Sequence, residues 1–210
     1  MAPESPASRD SSRTRLLAAT INLVRANGYA ATRVEDVCAA AGVTKGSFFH
    51  HFDSKEDLAI AAAAKWDEGA SQLFAAAPFQ SEADAIDRLL GYIRYRKELV
   101  AGDLWEWTCY AGTTIQETHE TYPAIRDACA QSISTHVAML STMIDDALGE
   151  QPVPNLRADS LAAYIQAVIQ GAFVMAKAQQ DRRVASDSLD HLHRYVELLF
   201  SQSTNRKYKR

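Results

Sequence analysis

The sequence predicts an all-α protein, on three observations. Gly and Pro are scarce, nine and six in 210 residues, too few turn formers for a β-sandwich. The chain is rich in Ala, Leu, Gln and Glu, which favour helix. Apolar residues recur at three- and four-residue spacing, with no sustained strand-like alternation and no internal repeat. A hydrophobic content of 47% with 23% charged residues supplies a core for one ordinary domain, or for a small module fused to a larger one.

The elements follow in order. Residues 1–10 open on a Pro/Ser/Ala-rich stretch and read as a disordered tail. A first helix covers 11–27, with Leu17, Ile21 and Val24 on one face and Asn27-Gly28 as its stop. Thr32 and Glu35 read as a capping box that starts a short helix, with Val34, Val37, Cys38 and Ala41 inward and its end at Gly42. Thr44 then caps another short helix, and Val43 and Phe48 stand at the positions of a hydrophobic staple. On it Phe48 and Phe52 face inward, leaving Gly46 and His50 opposite, flanked by Lys45, Ser47 and Phe49. Two short helices joined by a Gly-containing turn, the second presenting small and polar side chains, make a helix-turn-helix pattern. Beyond it, helices are expected over 55–76, 82–100, 104–119, 124–148, 158–180 and 188–202, and 205–210 reads as a basic tail. The domain limits are then 11–57 for the helix-turn-helix part and 58–204 for the larger helical part, with the boundary inside the 55–76 helix that both parts share.

Charge is unevenly spread. The formal net charge is −4, yet residues 9–55 hold seven Lys/Arg against four acids, while 56–204 hold eleven against twenty-one. A basic N-terminal module on an acidic body suits nucleic-acid contact at one end. No apolar run reaches the roughly 18 residues of a membrane helix, and the N-terminus lacks the hydrophobic core of a secretory signal, so a cytoplasmic protein without a membrane partner is expected. Cys38, Cys109 and Cys129 are odd in number and never in a C-x-x-C arrangement, which points to reduced thiols. His50-His51 has no completing ligands for a metal, and 42–46 lacks the strand a nucleophile elbow requires. His119-Glu120 begins like H-E-x-x-H but has no second His. No enzyme motif and no cofactor motif survives.

The run 16–63 resembles the DNA-binding domain of the TetR family of transcriptional regulators. The resemblance rests on AGVTKGS at 41–47, FFHHF at 48–52 and SKEDL at 54–58. It implies a homodimer that offers one recognition helix per subunit to the major groove of a double-stranded DNA operator, with a helical domain that binds a small-molecule effector. Carried over position by position, Thr32, Arg33 and Lys55 would meet phosphate, and Thr44, Lys45, Gly46, Ser47 and His50 would face DNA. Phe49 stands where the family most often has Tyr, and lacks the hydroxyl that would bond a phosphate. The helices 158–180 and 188–202 are the implied dimer surface, through stripes Leu161, Ile165, Val168, Ala172 and Leu189, Leu192, Val196, Leu199.

Trp66, Trp105, Trp107, Tyr110, His119, Tyr122 and Phe173 are the candidates for an effector cavity. Cys109 and Lys177 also look similar to a cysteine and a nearby basic residue of those TetR-family regulators that sense electrophiles or oxidants. The expected function is a repressor released from a two-fold symmetric operator by a small molecule or an electrophile. The alternative is an all-α binding or catalytic protein whose helix-turn-helix only packs.

Overall fold

The computed structural model describes residues 6–207, and side chains over 12–201. Residues 1–5 and 208–210 of the two expected tails lie outside the described residues. The described residues form ten α-helices and no strand: α1 (Pro6–Asn27), α2 (Val34–Ala41), α3 (Lys45–His51), α4 (Lys55–Ala75), α5 (Ala85–Glu98), α6 (Leu104–Trp107), α7 (Tyr110–Thr118), α8 (Pro123–Glu150), α9 (Ala158–Gln179) and α10 (Arg183–Lys207). A 3-10 turn, Pro78–Ser81, precedes α5.

Several limits differ from the sequence expectation for local reasons. α1 begins at Pro6, inside the stretch read as tail, and α10 continues to Lys207. The helix expected over 104–119 is two helices, because Cys109 caps α7: its Sγ accepts from the Gly112 amide at 3.3 Å. The break expected through 187 closes by Arg183, where the Asp181 carboxylate accepts the Arg183 amide at 2.9 Å. The capping box moves by one residue. Thr32 instead donates to the Gly28 carbonyl at 2.7 Å, and Arg33 becomes the N-cap of α2, its amide bound by Asp36 at 3.2 Å.

The chain divides into two compact units. Residues up to Ala70 with Thr108–Ile133 form unit 1, and Ser71–Trp107 with the residues from Ser134 onward form unit 2. α4 and α8 each run from one unit into the other.

Unit 1 is built on the apolar faces of α1 to α4. Leu16, Leu17, Val24, Val37, Phe48, Phe52 and Leu58 are buried together with Tyr110, Ile125 and Cys129. α7 packs on α1. Arg25 donates through Nε to the Thr108 carbonyl at 2.7 Å and lies over the Trp66 ring, and Tyr110 donates its hydroxyl to the Ala59 carbonyl at 3.1 Å. Gly28 holds φ +90° with the Glu117 carboxylate where a Cβ would stand, and Glu117 accepts the Ala30 amide at 2.8 Å.

In unit 2, α10 packs against α9 and α5. Leu89, Ile93, Leu140, Ile144, Ile165, Ile169, Leu189, Val196 and Phe200 fill its interior. α9 is long and apolar enough to span a membrane by length and composition, contrary to the sequence expectation of no such run. Its apolar residues have another use: Leu161, Ile165, Ile169, Phe173 and Ala176 are buried inside the fold, the pattern of a core helix.

Candidate nucleic-acid interface and effector region

The helix-turn-helix is set by two turns. Gly42 ends α2 at φ +62°, a left-handed position glycine adopts without Cβ strain. The Val43 amide bonds the Cys38 carbonyl at 3.0 Å and closes the turn. Two residues on, Thr44 starts α3: its Oγ1 accepts the Ser47 amide at 3.1 Å, the N-cap that the sequence predicts. Phe48 is fully buried and Phe52 nearly so, which fixes the roll of α3 about its axis.

That roll leaves Thr44, Lys45, Gly46, Phe49 and His50 exposed, with Ser47 at the edge. Phe49 is 53% exposed, a large apolar side chain on a polar face, edge-on to Phe48. A Cβ at Gly46 would meet nothing nearer than the Thr44 hydroxyl, so its outer side is open to close approach. The Lys45 ammonium is 2.6 Å from the Glu35 carboxylate of α2, which holds the carboxyl below its usual range and the ammonium above it. Arg33 is exposed beside them, and Arg13 lies over the Phe52 ring at 5.4 Å.

Two residues given phosphate roles stand differently. Thr32 is 3% exposed with its hydroxyl spent on Gly28, so its side chain holds the turn before α2 and does not face solvent. Lys55 is half-buried: its ammonium donates to the Tyr29 carbonyl at 2.7 Å and sits 4.1 Å from the centre of the Tyr29 ring. Burial lowers its pKa, with the Glu117 carboxylate opposing. Its charge thus ties the start of α4 to the turn that follows α1.

The effector candidates fall in both units. Trp66, Cys109, Tyr110, His119 and Tyr122 belong to unit 1. There Tyr110 is fully buried with its hydroxyl bonded, Tyr122 is edge-on to Tyr29 at 5.5 Å, and His119 is exposed at the end of α7. Trp105, Trp107, Phe173 and Lys177 belong to unit 2, where Trp105 and Lys177 are half-buried and Trp107 meets Phe173 edge-on at 5.3 Å. Cys129 is fully buried and its thiol is pushed up to about 12, by burial first and by Cys109 beside it.

Unit 2 also contains groups that the sequence reading missed. Arg96 of α5 lies against two rings, Phe74 at 5.3 Å and Phe173 at 5.4 Å. His136 of α8 bonds the Tyr92 hydroxyl at 2.8 Å through Nε2, and its pKa falls to about 3, through burial and then the nearby Arg96 charge. Arg94-Tyr95-Arg96-Lys97 reads as a solvated helix end, and nothing local marks Arg96 as the member that turns inward.

A helix-turn-helix with an exposed second helix, ahead of a larger all-helical unit, defines a class of DNA-binding regulators. The sequence pattern of bacterial regulatory proteins of the tetR family matches residues 16–62, and that of the LmrA/YxaF-like transcriptional regulator C-terminal domain matches 83–188. The chain belongs to the TetR family of transcriptional regulators. The HTH-type transcriptional repressor KstR2 of Mycolicibacterium smegmatis is 40% identical over 58 residues, 28% of each chain, so the match spans little more than a quarter of that relative. A TetR regulator from Chloroflexus aurantiacus J-10-FL superposes with a TM-score of 0.80 at 25% identity, over 91% of this chain and 96% of the other. One from Agrobacterium tumefaciens gives 0.79 at 19% identity, over 89% and 98%, a likeness of fold alone.

Proposed function

We propose that this regulator is a dimeric repressor, released from a two-fold symmetric operator when a small molecule binds its helical part. The observation that carries the DNA contact is the roll of α3: Phe48 and Phe52 are buried, which turns Lys45, Gly46, Phe49 and His50 outward with Ser47 at their edge. In this reading Lys45 and Arg33 meet phosphate, Ser47 and His50 reach base edges, and Gly46 admits the backbone. Lys55 and Thr32 act through the turn and helix junction they hold. A mobility shift with the DNA upstream of its own gene tests this. A specific shift that weakens steeply as salt rises is expected, because phosphate neutralisation releases counterions. Absence of a specific shift on every upstream fragment overturns the reading.

The dimer is supported by an apolar face on unit 2 that differs from the stripes first expected. Leu161, Ile165, Ala172, Leu189, Leu192 and Val196 are buried within the subunit and close its own core. The opposite faces of α9 and α10 expose Tyr164, Val174, Met175, Tyr195 and Leu198, with Tyr164 and Tyr195 edge-on at 5.3 Å. A second copy is the occupant proposed for this face. Sedimentation should show a dimer that Leu198→Glu converts to monomer.

Release is a population shift, in which effector binds better to a conformation whose recognition helices are wrongly spaced for successive major grooves. A second reading makes Cys109 the sensing group, and one observation favours it: the sulfur is only half-buried and caps α7, accepting the Gly112 amide. It requires that a mild electrophile modify Cys109 before Cys38 or Cys129 and release DNA, and that Cys109→Ser abolish the response.

A further inference from the structure

Three buried polar atoms have no hydrogen-bond partner among the described residues: Arg96 Nε, Trp107 Nε1 and Gln166 Oε1. All three belong to unit 2. Trp107 and Gln166 are 8% and 7% exposed, so water reaches neither freely. An unpaired buried group loses its hydration without compensation, and native proteins leave few such groups unexplained.

Two of the three atoms share a setting. Arg96 and Trp107 lie against the same ring, with the guanidinium carbon 5.4 Å and the indole centre 5.3 Å from the centre of Phe173. Gln166 stands seven residues before Phe173 on α9, two turns along the same buried face. The two donors therefore flank the Phe173 ring, with Phe74 also against the guanidinium. No acidic side chain answers Arg96 among the described residues. Its neighbours on α5 are paired elsewhere, Lys97 with Asp190 at 2.7 Å and Arg94 with the His193 ring at 3.3 Å.

We infer that the effector of this regulator is a small aromatic carboxylate, held by Arg96 and Trp107 through its anionic oxygens. The inference rests on the reading of unit 2 as the effector-binding part and gives that site its chemistry. A guanidinium between aromatic faces is pre-organised to receive a planar carboxylate, and ring contacts with Phe74 and Phe173 suit an aryl body. A neutral His136 suits the site as well: it places no competing cation beside Arg96 near neutral pH.

The test is calorimetric titration of the full-length protein with benzoate, phenylacetate and 3-phenylpropanoate, and with the three corresponding amides. At least one acid should bind, its amide should bind at least ten times more weakly, and Arg96→Met should weaken the acid about tenfold to a hundredfold, the range for a charged hydrogen bond. Trp107→Phe, which keeps the ring and removes the donor, should cost several-fold. Failure of all three acids to bind overturns the inference, and so does an amide that binds as tightly as its acid. An Arg96→Met protein of unaltered melting temperature that binds the acid as well as the parent also overturns it, and the acid-to-amide ratio decides the matter if that variant does not fold. A mobility shift run beside these titrations separates the two claims. Intact operator binding with no acid bound sinks only the anion site, whereas an acid that binds without releasing DNA sinks the effector role.

Discussion

The interiors of the two units differ in how they treat buried polar groups. In unit 1 the buried side chains close on their own backbone: Thr20 on Leu16 at 2.8 Å, Arg25 on Thr108 at 2.7 Å, Tyr110 on Ala59 at 3.1 Å and Thr118 on Thr114 at 2.9 Å. In unit 2, Arg96, Trp107 and Gln166 each leave an atom unbonded. A DNA-reading module must hold α3 in one roll, and complete pairing enforces a single arrangement. A ligand-receiving module needs groups that are satisfied only when the ligand arrives, and gives up some stability of the free state for them.

The largest expected effect concerns acid. Below about pH 6.5 the unfolded chain protonates at position 136 while folded His136 stays neutral to about pH 3, so stability falls as pH falls through that window. The loss is up to about 1.4 kcal/mol per pH unit, near 3 kcal/mol by pH 4.5. Denaturant melts should show His136→Gln losing less than the parent on acidification; equal losses would place the acid sensitivity at groups other than His136.

The next comparison pits the buried Arg25 against the half-buried Arg96. Arg25→Met removes a bonded guanidinium and should destabilise by about 1.5–3 kcal/mol, whereas Arg96→Met should stay within about 0.5 kcal/mol of the parent. Equal costs would break the contrast between the units. Tyr110→Phe sharpens it further, with about 1 kcal/mol expected from the lost bond to Ala59, read by the same melts.

The smallest stability effect is at the DNA face. Lys45→Ala removes an exposed pair with Glu35 and should leave the melting temperature unchanged while weakening operator binding across all sequences. His50→Ala should alter sequence preference instead. Both are checked by mobility shifts on operator variants.

Most of unit 1 was legible because its signals are local. Gly42, the Thr44 cap and the Phe48/Phe52 spacing act within a few residues, and each appears in the structure at the expected place. The bond of Lys55 to Tyr29 was not legible, because that partner is twenty-six residues away. A surface lysine and a lysine tied to a distant carbonyl look alike in sequence.

By itself the sequence determined the helical class, the helix-turn-helix and the family, since capping, glycine turns and apolar spacing are properties of short stretches of chain. Only the tertiary structure decided which faces of α9 and α10 are spent inside the subunit and which remain open, because both faces carry apolar residues and periodicity cannot rank them. It alone turned Arg96 inward while Arg94 and Lys97 found partners on α10. The reason is common to both cases: burial and pairing depend on what another helix brings to the same place, and no window of sequence contains that helix.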